Sequence, residues 1–334
     1  MKRAALALAL VAVAALAGSC SSKKSQKLTI AVSIPSADHG WTGGVGWWAE
    51  KAMAQYPDVK WVYDRADKPE TQVDQIHAMV AQNKLDALVL LAHESKSLTP
   101  VGKEVASKGI YLVSVDRGLE EPVAKVFIEG DNKAFGRKSA EFMVSKLGAA
   151  GGKIVILRGS PSTVDTDRYE AAVAVFKQHP EIEILGAQAG HWKREKGLEV
   201  MKTFLTQFPK IDAVWAQDDD MAEGAEQAIR EGGREKEMWM LGGAGKKTII
   251  KRVMDKDAMY PADITYPPAM IAAGIHTAVF KLGGSTFEQL RQRMPKHISI
   301  PLDQVNSDAR HIKLDVDLVT PENAKDYYFP DSVY

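Results

Sequence analysis

The stretch Gly109–Met143 reads GIYLVSVDRGLEEPVAKVFIEGDNKAFGRKSAEFM. It opens on an apolar, β-branched run, Tyr111–Val115, and a second run follows at Val126–Ile128. Apolar residues at consecutive positions mark a strand covered on both faces, which is the signature of a parallel sheet rather than of a half-exposed one. The first run ends in Asp116-Arg117, a charged pair set where such a strand emerges from its sheet. A turn-rich segment, Glu129-Gly130-Asp131-Asn132, then separates two regions of the chain.

The same rhythm extends both ways. Upstream, strand-like runs occupy Leu28–Ile34, Lys60–Tyr63 and Ala87–Leu91, separated by amphipathic stretches at Val45–Gln55, Thr71–Asn83 and Pro100–Lys108. Downstream, runs at Ile154–Leu157, Ile182–Leu185, Ala213–Trp215, Met238–Leu241 and Tyr260–Ile264 alternate with helical stretches at Arg168–Gln178, Lys196–Gln207, Met221–Glu231 and Lys246–Asp255. Two successive sets of βα units predict an α/β fold of two doubly wound parallel-sheet domains. The remainder, with a helix at Ala269–Leu282, a strand at His297–Pro301 and a tail rich in Pro and Asp, breaks the rhythm and is expected to cross back between the domains.

Composition removes several function classes. The 334 residues carry 43 Lys+Arg against 43 Asp+Glu, 45% hydrophobic residues and one cysteine. A zero net charge supplies no basic face for nucleic acid, and one thiol excludes a disulfide framework or a multi-thiolate metal site. Lys2 and Arg3 precede an apolar run, Ala4–Ala17, too short to span a bilayer and suited to a signal peptide core. Leu16-Ala17-Gly18-Ser19-Cys20 resembles a bacterial lipobox, with Ala17 where that motif usually carries Leu. Residues 1–19 are therefore expected to be a signal peptide, Cys20 the lipidation site, and 20–27 a polar tether. An exported, lipid-anchored chain of the cell envelope follows.

Ligands of open parallel sheets bind beyond the carboxyl ends of the strands. The loops there hold Asp38-His39-Gly40-Trp41, Asp116-Arg117, the segment RGSPSTVDTDR ending at Arg168, His191-Trp192, and Gln217-Asp218-Asp219-Asp220. Indoles cover the C–H faces of a sugar ring, while guanidinium and carboxylate groups make charge-assisted hydrogen bonds to its hydroxyls. Asp219 and Asp220 read as caps of the helix expected to begin near Met221. Enzyme patterns are not met. Gly242–Thr248 (GGAGKKT) fails the phosphate-loop spacing, no G-x-S-x-G or H-E-x-x-H occurs, and the eight histidines show no metal spacing.

From Leu28 to about Tyr328 the chain resembles the ribose-binding, type I family of periplasmic sugar-binding proteins. LTIAVSIPSADHGWTGG matches the family's first strand and ligand loop, the Gly109–Met143 stretch its fourth strand and first hinge, and IDAVWAQDDDMAEGAEQAI a later landmark, as do ISIPLDQVNSDA and VTPENAKDYY. The resemblance implies a three-segment hinge near Glu129–Asp131, Asp263–Thr265 and Ile300–Leu302. One lobe would then comprise 28–129 plus 266–300, the other 130–265 plus 301–334. It also implies ligand contacts at His39, Trp41, Asp116 and Arg117 on one wall, at Arg168, Trp192 and Asp218 on the other, and at Tyr266 in the hinge. Family members commonly carry Phe-Asp where this chain has Gly243-Ala244. The implied activity is capture of a monosaccharide or sugar alcohol by a monomer that serves an ABC permease and ATPase, without cofactor, metal or catalysis. The alternative is a receptor feeding a sensor kinase or chemoreceptor.

Overall fold

The apolar runs form strands and the amphipathic stretches form the helices between them, in a computed structural model that describes residues 27–283 and 308–334, with Glu288 and Gln292. In chain order the strands are β1 (Thr29–Pro35), β2 (Lys60–Ala66), β3 (Ala87–Leu90), β4 (Tyr111–Val115), β5 (Val126–Gly130), β6 (Gly152–Arg158), β7 (Ile182–Ala189), β8 (Ala213–Ala216), β9 (Trp239–Leu241), β10 (Asp263–Ile264), β11 (His311–Leu314) and β12 (Leu318–Val319). The α-helices are α1 (Gly40–Met53), α2 (Pro69–Gln82), α3 (Ser95–Ser107), α4 (Asn132–Leu147), α5 (Thr163–Phe176), α6 (Arg194–Gln207), α7 (Asp219–Glu231), α8 (Lys247–Met254) and α9 (Met270–Gly283). One sheet runs in the order β11-β5-β4-β3-β1-β2 and the other in the order β7-β6-β8-β9, all neighbours parallel.

Both sheets are covered on both faces, as the unbroken apolar runs require. Ile30, Val32 and Ile34 of β1 join one core cluster, while the intervening Ala31 packs with Leu88, Leu90, Ile76 and Leu98 in another. In the second sheet Ile154 and Ile156 face one core, and Val155 and Leu157 the opposite one. Each fully buried Ile or Leu contributes about 1.5–3 kcal/mol, so a charge at any of these strand positions would destroy its layer. Strand order reverses at β1/β3 in the first sheet and at β6/β8 in the second. Those switch points are where an α/β sheet opens a crevice at its carboxyl edge.

Three findings correct the sequence reading. Residues 40–44 are the first turns of α1 rather than a loop. Their glycines are poor helix formers but permit close approach, since a Cβ on Gly44 would meet the Pro268 and Tyr334 side chains at 2.8 and 2.9 Å. The segment 311–314, expected in the second lobe, is β11 and extends the first sheet alongside β5. The final crossover therefore comes after Leu314. The Asp131 N–H donates to Leu314 O (2.9 Å), and the Thr265 N–H donates to Asp317 O (2.9 Å). The chain then enters β12, which pairs with β10. The hinge thus gathers residues 130–132, 263–266 and 314–318. The segments expected as signal peptide (1–19), lipidated Cys20, strand 297–301 and crossover 300–302 lie outside the described residues. Among the described residues no helix is long and apolar enough to cross a membrane.

Candidate functional site

At the facing carboxyl edges of the two sheets lies a cleft of about 400 Å³, continuous with solvent and lined by His39, Trp41, Asp116, Arg117, Ser162, Val164, Arg168, Trp192, Asp218 and Tyr266. The eight side chains singled out from the sequence converge there. Ser162 and Val164, at the start of α5, lie within the RGSPSTVDTDR segment but were not singled out in it.

The first wall is ordered by the backbone. Asp116 leaves β4 with φ +60°, a left-handed conformation rare for a non-glycine residue, which turns its carboxyl into the cleft. One oxygen, Oδ1, accepts from the Tyr266 hydroxyl at 2.7 Å. Arg117 donates through Nη1 to the carbonyl of His93 (2.8 Å), with Nε 3.8 Å from Asp116 Oδ2. His93 is thus a support for the guanidinium, a role its place after β3 allows. His39 stacks on Trp41 at 6.5 Å between ring centroids, and its Nδ1 lies 2.7 Å from Asp38 Oδ1. Trp41 is only 5% exposed. Its indole donates to Tyr266 O at 2.8 Å, tying α1 to the hinge.

The second wall is built around Arg168. Its guanidinium is buried, donating from Nε to Asn132 Oδ1 (3.0 Å) and from Nη1 to Gln217 O (2.7 Å). It lies 3.9 Å from the Phe135 ring centroid, 4.3 Å from Tyr266 and 5.6 Å from Trp192. Such stacking suits a planar, weakly hydrated cation. Burial lowers the Arg168 pKa from its ordinary value, with the Tyr266, Asp116 and Asp218 oxygens pushing the other way. Trp192 and the preceding His191 have φ of +63° and +57°, two consecutive left-handed residues that lay the indole across Gly159. A Cβ on Gly159 would come within 1.8 Å of that ring, so the glycine is required by the approach. Asp165 fixes the adjoining loop by accepting from Arg158 Nε (3.1 Å), Arg158 Nη2 (2.5 Å) and the Gly159 N–H (3.1 Å).

The triple aspartate divides its work differently from the sequence expectation. Asp218 is the N-cap of α7, its Oδ1 accepting from the Asp220 and Met221 N–H groups at 2.8 and 3.3 Å. Asp219 accepts from the Gly243 and Lys246 N–H groups, both at 2.8 Å. Burial, then the charge of Asp220, raises the Asp218 pKa to about 7. Gly243 and Ala244 do not line the cleft. A Cβ on Gly243 would meet the Phe135 ring at 2.3 Å, and Ala244 faces a separate apolar cavity by the hinge. No group of three or more His, Cys, Asp or Glu side chains able to hold a metal occurs among the described residues.

Parallel sheets with alternating helices agree with comparison to known proteins. The family model for the periplasmic binding protein domain matches residues 30–286. The chain belongs to the periplasmic binding protein family. This binding protein is 33% identical over 184 residues to the xylitol-binding protein of Mycolicibacterium smegmatis, a match covering 54% of this chain and 52% of that one. It thus spans about half the length of that relative. The match to the ribose import binding protein of Escherichia coli is 26% identical over 300 residues, covering 88% of this chain and 97% of the other. A solute-binding protein of an ABC transporter from Bacillus halodurans, solved with myo-inositol, superposes with a TM-score of 0.76 at 22% identity, over 92% of this chain and 99% of that one. At that identity the superposition speaks for the fold of the binding protein.

Proposed function

We propose that the protein is the solute-binding component of a sugar-type ABC importer, closing its lobes on a monosaccharide or sugar alcohol and presenting the closed form to a permease. The observation that carries this reading is the convergence of two indoles, two guanidinium groups and two carboxyls from both lobes on one cleft. Trp41 and Trp192 supply apolar faces for a ring or carbon chain. Arg117 and Arg168 donate to hydroxyl oxygens, and Asp116 and Asp218 accept from hydroxyl hydrogens. Binding is the whole chemistry, and no bond is broken. The proposal extends to export through the N-terminal 19 residues and anchoring through a lipid on Cys20, which would keep the protein beside its permease.

The test is a thermal-shift screen over pentoses, hexoses, polyols and nucleosides, followed by titration calorimetry. A ligand that binds only the folded state at a hundred times its Kd stabilises by about 2.7 kcal/mol, which is readily seen as a raised Tm. A screen in which no polyhydroxylated compound raises the Tm refutes the reading.

A further inference from the structure

One contact between the lobes needs no ligand. Helix α1 belongs to the first lobe and has no acidic residue in its first turn. Its N-terminal Gly40 N–H donates to Asp220 Oδ2 at 2.9 Å, and Asp220 lies in the first turn of α7 in the second lobe. The carboxylate of one lobe thereby satisfies an unpaired N–H at the positive end of a helix in the other. Asp220 is 7% exposed, and its other oxygen, Oδ1, accepts from Lys246 Nζ at 2.6 Å. Lys246 Nζ also donates to Glu223 Oε2 at 2.8 Å, so the carboxylate is held by a cation of its own lobe. The junction is closely fitted, since a Cβ on Gly40 would come within 2.8 Å of Asp220 Oδ2 and 2.9 Å of the Tyr334 ring. It adjoins the cleft without entering it. His39 and Asp218, which line the cleft, stand one residue before Gly40 and two before Asp220.

We propose that Asp220 is a positioning residue for ligand capture, a latch that caps α1 across the interlobe gap and holds the closed lobes together independently of the guest. The inference rests on the reading that a solute is captured by lobe closure. It adds that part of the affinity resides in a hydrogen bond the solute never touches. Opening the lobes breaks a charge-assisted bond and returns both groups to water, so the latch slows release more than it speeds entry.

The test compares wild type, Asp220→Ala and Asp220→Asn by stopped-flow tryptophan fluorescence, with the compound that the thermal-shift screen identifies. Asp220→Ala is expected to speed dissociation about tenfold to a hundredfold, with association changed less than about threefold. Asp220→Asn, which keeps an acceptor without the charge, falls between. Gly40→Ala, which props the junction apart, speeds dissociation while leaving the Asp220–Lys246 pair in place. Small-angle scattering of ligand-free protein is expected to show a larger radius of gyration for Asp220→Ala than for wild type. Should Asp220→Ala fail to fold by circular dichroism, Asp220→Asn and Gly40→Ala decide the matter. Normal binding with unchanged dissociation in the folded variants overturns the latch and leaves the proposed function standing. If the wild type binds nothing in the screen, the function falls, and scattering curves that superpose then overturn the latch as well.

Discussion

Tyr266→Phe separates what a hinge hydroxyl does from what its ring does. The Tyr266 ring packs on Gly130, where a Cβ would come within 2.2 Å of it, and lies 4.3 Å from the Arg168 guanidinium. Phenylalanine keeps both contacts. The hydroxyl donates to Asp116 Oδ1 at 2.7 Å and accepts from Asn132 Nδ2 at 3.4 Å, which joins a first-wall carboxylate to the first turn of α4 in the second lobe. Removing it leaves a buried carboxylate oxygen without its donor. A hydrogen bond to a charged group contributes about 1.5–3 kcal/mol, so unfolding free energy should fall by that amount with an unchanged denaturant slope. Asp116 would also lose the bond that aims it, and Kd for the captured solute should rise roughly 5- to 30-fold, equal to about 1–2 kcal/mol. Urea denaturation and titration calorimetry on the same preparation measure the two effects. A variant with the wild-type midpoint and wild-type affinity refutes the reasoning, because the ring alone would then suffice.

Two further outcomes follow from the same geometry. Arg117→Ala removes a side chain about one-quarter exposed and bonded to a single carbonyl, so stability should change by less than about 1 kcal/mol. Affinity should nevertheless fall about 30- to 700-fold by calorimetry if its remaining N–H groups bind the solute on closure; near wild-type affinity would remove Arg117 from the site. The pKa of Asp218 is raised to about 7 in the folded protein, so the folded state holds a proton that the unfolded chain has released between about pH 4 and 7. Its contribution to stability is thus full at the acid end and lost as pH rises through 7. Asp218→Asn keeps the helix cap and should make the decline between pH 5 and pH 7 shallower, by on the order of 2 kcal/mol, as urea midpoints would show; equal declines in variant and wild type would contradict it.

The parallel strands were legible because a strand buried on both faces must be apolar at successive positions, as Ile30–Ile34 and Ile154–Leu157 are. The site was legible because switch-point chemistry sits just after those strands. Other features depend on contacts distant in sequence. The start of α1 reads as a loop because its glycines are chosen for close approach by Tyr334 and Pro268, more than 220 residues away in the chain. Strand β11 is four residues long and alternates exposed and buried positions, as an edge strand does, so its Asp-rich surroundings give no apolar run to detect. Ser162 carries the sequence mark of an N-cap, and its hydroxyl accepts from the Asp165 N–H at 3.3 Å. That mark speaks for a helix start and not for a cleft wall. Val164 offers no local signal, because only the fold decides that this turn faces the other lobe.

Gly243 and Ala244, where the resembled family commonly carries Phe-Asp, are packed away from the cleft. Phe135 fills the space that a side chain at 243 would need, and its ring carries the Arg168 guanidinium at 3.9 Å. The Phe135 ring on α4 thus occupies the space beside Gly243 and packs against a cation. Ala244, at φ +104°, is held by its N–H donating to Ile264 O at 2.7 Å, which turns it toward the hinge and away from the cleft. The second wall is left with Asp218 as its lining carboxyl, and Oδ1 of that group is already engaged in capping α7. On the proposed reading Oδ2 remains for a solute from that side, and on the first wall Asp116 likewise has one oxygen engaged, Oδ1 by Tyr266, with Oδ2 beside Arg117. The second wall contributes Arg168, held by Asn132 and Gln217 O, and the indole of Trp192, packed on Gly159, so under the proposed closure these two side chains would lose little conformational entropy.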